Sequence, residues 1–186
     1  MVKAAATGRS IWLDKSFDDD DPGNDPTRWI SFTVSTQRPE SEQERRLIRA
    51  DVLRWLSLND KAQKFIDPMG IRLGAAIVQG TLDLSYANVL TALTLNYSAL
   101  GPVKLRYSTA RTIDFSASTA QFVDATSPKI NGDVLFRRGF TSRGLLDFSA
   151  APVHGNFVCS HAILLQTPES LSFGPRSGAI QNRCSA

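Results

Sequence analysis

From Leu93 to about Ser127 the sequence divides into consecutive blocks of five: LTLNY, SALGP, VKLRY, START, IDFSA, STAQF, VDATS. The first position of each block reads Leu93, Ser98, Val103, Ser108, Ile113, Ser118 and Val123, with large and small residues alternating throughout. The third position reads Leu95, Leu100, Leu105, Ala110, Phe115, Ala120 and Ala125, and is always apolar. An amphipathic helix would need apolar residues three and four apart, and a long half-buried strand would need unbroken alternation. Two inward residues followed by three small or polar ones describe a short extended piece and then a corner. Four such pieces close one coil of about 20 residues, and stacked coils pair their backbones with the coils above and below.

The frame therefore predicts a mainly β fold: a single-stranded right-handed β-helix, quadrilateral in section. First positions 82, 103 and 123 fall on one face of successive coils, and 93, 113 and 134 on the opposite one. Ser98 and Ser118 fill corners of the interior, where a large residue would overpack a narrow core. The pattern loosens but persists outside the strict window, at Ile71-Arg72-Leu73, Leu82-Asp83-Leu84, Val134-Leu135-Phe136, Leu146-Asp147-Phe148 and Phe157-Val158-Cys159. Glycines 132, 139, 144 and 155 are expected at bulged corners that need a permissive backbone. Ser116, beside the inward Phe115, is expected to face out.

The fifth positions point outward and carry the candidate site residues. Tyr86 and Tyr107 are 21 positions apart, so they stack on one face, with Tyr97 opposite. The tyrosines either ladder on the surface as part of the architecture or offer flat aromatic area to a partner.

The chain divides into an N-terminal segment (1–40) expected to be mobile, a helical cap (41–68), the β-solenoid (71–165) and an irregular C-terminal tail (166–186). In the first of these, Asp18–Asp21 with Pro22, Gly23 and Pro26 combine like charges with helix breakers. Their order does not meet the EF-hand pattern. Trp29–Val34 reads as one strand that docks on the solenoid. Ser41 and Glu44 form a capping box, and Leu47, Ile48, Val52, Trp55 and Leu56 then recur at helical spacing. Asn59 or Asp60 starts a second short turn carrying Phe65 and Ile66, which Asp67-Pro68 ends. A solenoid end exposes apolar core and unpaired backbone, and a cap relieves both.

The segments ERRLIRADVLRWL, IDPMGIRLGAAIVQGTLDLSYANV and INGDVLFRRGFTSRGLLDFSAAPVHGNFVCSHAIL resemble bacterial pentapeptide-repeat-like proteins, over about residues 43–165. Some members of that group carry the label "membrane-associated oxidoreductase". The resemblance implies a helix followed by a β-solenoid; the label implies a redox activity. The residues themselves offer no phosphate-binding glycine loop after a strand and no paired redox cysteines. No cofactor is expected.

Other chemistry is thin. His154, Cys159 and His161 form an H-x4-C-x-H cluster, but Cys159 is expected to point inward as a small core residue and His161 outward at a corner, so no metal site is expected. Asp83, Asp114, Asp124, Asp133 and Asp147 all sit between inward positions and face out; paired acids of that kind could serve a carbohydrate-active β-helix. The net charge of +3 is carried by scattered arginines rather than a run, which disfavours nucleic acid and a DNA-mimicking acidic face. No stretch of 18 apolar residues spans a membrane. With no secretory leader and two cysteines, a cytoplasmic location is expected. These features predict a non-catalytic scaffold that binds a protein partner or self-associates through its solenoid ends; no small-molecule substrate is identified. The alternative is an enzyme: a degenerate or carbohydrate-active β-helix, or an oxidoreductase as the label suggests.

Overall fold

The structure, a computed structural model, describes residues 11–12, 46–64, 66–165, 171–173 and 180–181. Its strands run parallel and stack as a β-solenoid with four faces. The first face is built from β1 (Ile11–Trp12), β3 (Ile71–Gly74), β6 (Leu93–Asn96), β9 (Ile113–Asp114), β12 (Val134–Leu135), β15 (Phe157–Val158) and β18 (Ile180–Gln181). Ile71, Leu93, Ile113, Val134, Phe157 and Ile180 lie in register along it. The second face takes β2 (Leu47–Arg49), β4 (Ile77–Gln79), the starts of β7 (Ala99–Lys104) and β10 (Thr119–Asp124), β13 (Thr141–Ser142) and β16 (Ile163–Leu164). The third takes β5 (Leu82–Asp83), the ends of β7 and β10, β14 (Leu146–Phe148) and β17 (Leu171–Phe173). On the fourth, β8 (Thr109–Ala110) pairs with β11 (Lys129–Ile130), extended by bridges from Asn88 to Thr109 and from Ile130 to Val153. Registers 82–103–123 and 93–113–134 are those the five-residue frame demands.

Every first- and third-position residue from Leu93 to Ala125 is buried. The inward serines do more than save space. The Ser98 hydroxyl accepts from the Ala76 amide (3.1 Å) and donates to the Asn96 carbonyl (2.8 Å). The Ser118 hydroxyl accepts from the Ser98 amide (2.9 Å) and donates to the Leu95 carbonyl (2.6 Å). Corner amides that no ladder can reach are thereby satisfied inside the core, where leaving them unpaired would cost about 1–3 kcal/mol each.

In the next coil the equivalent place holds Phe140, fully buried, so serine is not required there. Its ring lies 4.5 Å from that of Phe136, which also contacts Phe115, Phe148 and Phe157 at 5.6–6.0 Å. Space comes from small neighbours: Ala120 and Ala125 occupy the inward positions that Leu100 and Leu105 fill one coil earlier, and Ser142 follows Ala120 in the next coil. The corner rule is one of summed volume rather than of serine.

Several local expectations change. Leu47 and Ile48 belong to strand β2 rather than to the helix, because the edge of β4 offers unpaired backbone that outweighs helical periodicity. The helix α1 runs Ala50–Leu58 and buries Ala50, Leu53, Leu56 and Ser57, leaving Val52 and Trp55 exposed. Leu53 and Leu56 join the solenoid core, and Arg54 Nε donates to the Asp83 carbonyl on β5 (2.8 Å), so the helix does lie against the first coil. Asn59 caps the short α2 (Asp60–Gln63), accepting from the Lys61 and Ala62 amides. Ser116 is buried, its amide and hydroxyl both bound to Asp114, and is not an open outward position. Gly139 has the positive φ (75°) expected of a corner, but Gly132 and Gly155 are required for room. A Cβ on Gly132 would strike the Arg111 carbonyl and Thr112, and one on Gly155 would strike Gly132 and Asp133. Ile11–Trp12, within the segment expected to be mobile, pairs with β3, and β17 and β18 carry the register past residue 165. The acidic run, the Trp29–Val34 strand, the capping box and Phe65 lie outside the described residues.

Candidate functional site

Each half-coil turns through a residue with positive φ. One such column, between the first and second faces, is Ala75, Tyr97, Ala117, Arg138 and His161, with φ of 50–57°. The other, between the third and fourth faces, is Tyr86, Tyr107, Ser127 and Ala150, with φ of 51–58°. L-residues avoid this conformation, and here the stacking of coils imposes it. Amides at these corners bind carbonyls of the adjacent coil, as from Tyr86 to Arg106 and from Tyr107 to Thr126.

This backbone geometry aims the tyrosines. Tyr86 and Tyr107 project from the third–fourth corner with centroids 5.3 Å apart and planes 19° from parallel, and they are 76% and 55% exposed. Tyr97 stands at the other corner, where its hydroxyl accepts from Arg138 (3.3 Å) across the short side chain of Ala117. The three candidate residues therefore form two separate sites: a stacked aromatic pair, and a single tyrosine engaged by an arginine.

The acids are bound into the architecture by a motif the sequence displays and the five-residue reading passed over: Asp-x-Ser/Thr just before a corner, at Asp83, Asp114, Asp124 and Asp147. The Ser85, Ser116 and Ser149 amides donate to Asp83 (3.0 Å), Asp114 (3.0 Å) and Asp147 (2.7 Å). Thr126 bridges Asp124 (3.0 Å) and Asp147 (3.2 Å). Side chains of this type compete for backbone donors wherever a chain turns. The recurring spacing was the available signal.

Next to the tyrosine pair, the third face presents Asp83, Lys104, Asp124 and Asp147 in one register row. Arg106 forms an ion pair with the buried Asp124. Burial pushes the Asp124 carboxyl up, but the hydrogen bonds from Arg106 and Thr126 and the Arg106 charge outweigh it and hold the group below the usual aspartate range. The Asp83 carboxyl is also held low, first by the Ser85 amide and then by Lys104 and Arg54, against the opposing effect of burial. Hydrogen bonding to Asp124, together with its charge, holds Arg106 in its charged form. A carboxylate stabilised as the anion is a poor proton donor, so Asp83 and Asp124 do not suit the general-acid role of a glycosidase pair.

Cys159 is buried and both histidines are exposed, so the H-x4-C-x-H residues do not converge. Cys159 is also disulfide-bonded. Among the described residues, no group of three His, Cys, Asp or Glu side chains is placed to hold a metal, and no helix is long and apolar enough to cross a membrane. No protein-family profile, curated protein or solved structure matches the chain.

Proposed function

We propose that the chain is a non-catalytic scaffold: a pentapeptide-repeat-like β-solenoid that presents the Tyr86–Tyr107 corner to a protein partner. The observation that carries this reading is the parallel, largely exposed aromatic pair held on a backbone that cannot relax without unstacking coils. Rigid aromatic area gives contact at low entropic cost, and Tyr is enriched among residues that dominate binding energy. The neighbouring Lys104, Arg106 and aspartate row supplies a mixed-charge rim of the kind that sets specificity more than affinity. Self-association through the solenoid ends is the other partner mode.

The enzyme alternatives, a carbohydrate-active β-helix or the oxidoreductase of the family label, draw less support, since the aspartates of the third face serve the corners and the ion pair. A pull-down with the intact protein tests the proposal. Replacing Tyr86 and Tyr107 together with Ser should lower capture of the partner while leaving the melt nearly unchanged. Replacing His154 and His161 with Ala should leave capture intact. Partner binding lost with the histidines and kept without the tyrosines would overturn the reading.

A cytoplasmic location belongs to the same proposal; the Cys159 disulfide weighs against it, and the state of the thiols in cells is the test. Reducing compartments keep thiols reduced, and disulfides persist in oxidising ones. Acid-trapping of the cell extract followed by alkylation and intact mass should add two alkyl groups if the location is cytoplasmic. An unalkylated protein in freshly trapped cells would place the chain elsewhere.

A further inference from the structure

The column of left-handed residues at the third–fourth corner changes size along its length. Tyr86 and Tyr107 occupy two successive coils, and Ser127 and Ala150 the next two, all with φ of 51–58°. The coil spacing of about 4.8 Å runs on unchanged beneath them. The Tyr107 amide binds the Thr126 carbonyl (3.0 Å), and the Ser127 amide binds the Ser149 carbonyl (2.8 Å). The ring stack therefore stops at Tyr107 while the backbone that carries it continues.

Beyond the last ring lies a ledge, with Tyr107 as its end wall and Ser127 and Ala150 as its floor. The ledge is open: Tyr107 is 55% exposed, Ser127 is half-buried and Ala150 is exposed. Its depth is the difference between a tyrosine and a serine, and its length is two coils, about 10 Å. That space fits a flat group stacked on Tyr107. On the far side of the pair the column has no continuation, because the chain before β3 forms the helices α1 and α2.

A protein ring and a sugar both stack on tyrosine, and the rim of the ledge favours the first. A sugar needs polar side chains that are free to bind its hydroxyls. Here the rim acids are already engaged: Asp124 holds Arg106 and Thr126, and Asp147 accepts from the Ser149 amide and from Thr126. An aromatic side chain needs only a ring face and the spacing that Tyr86 and Tyr107 already show, 5.3 Å between centroids.

We propose that the ledge receives an aromatic side chain of the protein partner, which stacks on the free face of Tyr107 as the third ring of the ladder. The proposal rests on the reading of this corner as a partner surface. It adds the residue type the partner contributes and the side from which it enters.

The test uses the full-length chain with carbon-13-labelled tyrosine. The chain has three tyrosines, Tyr86, Tyr97 and Tyr107, and single Tyr→Phe variants assign their ring signals. The probe is N-acetyl-tryptophanamide. Titration should move the Tyr107 ring protons upfield, as a ring current above the face requires, more than those of Tyr86, and leave Tyr97 in place. Ser127→Arg lays a guanidinium over the same face and should abolish the shift. The other corner carries Arg138 at φ 55° against 52° for Ser127, so circular dichroism should report an intact fold; Ser127→Gln takes its place if it does not. A larger shift at Tyr86, a shift that survives the filled ledge, or no shift up to the solubility limit of the probe overturns the proposal. So does a response to methyl glucoside without one to the indole. Failure here is separable from failure of the parent reading. Partner capture that falls when Tyr86 and Tyr107 become Ser, yet is indifferent to Ser127→Arg, removes the ledge and keeps the corner.

Discussion

Two corners of this solenoid share one backbone conformation and differ in almost everything built on it. Between the first and second faces, the left-handed positions of the first three coils carry Ala75, Tyr97 and Ala117, and the two alanines are buried. Between the third and fourth faces, they carry Tyr86, Tyr107 and Ser127, and the two tyrosines are among the most exposed apolar side chains described. The φ values of the two columns overlap, so local backbone energy does not choose the residue. What differs is the exposure of each corner position. Buried corner positions carry alanine, while rings and long polar side chains stand at half-buried and exposed ones, as at Tyr97, Arg138, Tyr86 and Tyr107.

The largest effect comes from the core on which both corners rest. Phe115→Asp places a charge among packed rings with no partner in reach and should cost several kcal/mol, enough to abolish the folding transition. Thr109→Asp, on the half-exposed fourth face, should stay within about 0.5 kcal/mol of wild type. Urea denaturation followed by circular dichroism compares the two. Matching midpoints would mean that the four-sided frame assigns inside and outside wrongly. Ser116, the immediate neighbour, does not serve as a control, because its hydroxyl and amide both bind Asp114.

A swap between the corners comes next. Ala117→Tyr puts at a buried corner position the residue that the exposed corner positions accept, and overpacking there should cost about 1–3 kcal/mol. Tyr107→Ala makes the reverse change and forfeits only one side of the ring stack, less than about 1.5 kcal/mol. If Ala117→Tyr proved as mild as Tyr107→Ala, Ala117 would not be a packed position, and the contrast between the corners would reduce to sequence accident.

The extent to which this was readable in advance follows from the same physics. The frame was legible because stacked coils impose a strict period, and a period survives in sequence even when residue identities drift. The tyrosine pair was legible for that reason too: 21 positions is one coil. The entry into the first coil was not. Leu47 and Ile48 fit a helical stripe, and only the unpaired edge of β4 makes them a strand. Phe140 was hidden because its size is offset by Ala120 and Ser142 on other strands, a compensation with no local signature. The aspartate corners were visible as Asp-x-Ser/Thr, but a reading that sorts residues only into inward and outward treats a bound carboxylate as a free one.

Acid sensitivity sharpens the contrast at the open corner. The Asp124 carboxyl is held below its ordinary range chiefly through Arg106 and Thr126, against burial. A carboxyl depressed in the folded state adds stability that is fully present above the unfolded value of about 3.9 and is lost as pH falls through the lower folded value. Asp124→Asn removes that contribution. The variant should therefore be less stable than wild type at pH 7, and the gap should narrow as pH approaches 3. Urea midpoints at the two pH values measure this. A gap that stays constant with pH would assign the role of Asp124 to its hydrogen bond with Thr126 rather than to its charge.

The smallest expected effect bears most directly on function. Stacked rings one coil apart invite the reading that Tyr86 and Tyr107 hold coils together. The rings are 76% and 55% exposed, however, and coil-to-coil adhesion is already supplied by backbone ladders and a continuous apolar core. A double-mutant cycle over Tyr86→Ser and Tyr107→Ser separates the two roles. Aromatic pairs couple by about 0.5–1.5 kcal/mol beyond the area they bury, and residues in contact depart from additivity by the amount they interact. An exposed pair belongs at the low end of that range, so the coupling should be about 0.5 kcal/mol, and the double variant should melt within a few degrees of wild type. A coupling above about 1.5 kcal/mol would make the stack a structural staple. The third–fourth corner would then owe its tyrosines to stability, as the buried positions of the other corner owe their alanines to space. A coupling near the lower figure leaves two ordered rings that the fold does not need, and the partner-capture assay becomes the measurement that accounts for them.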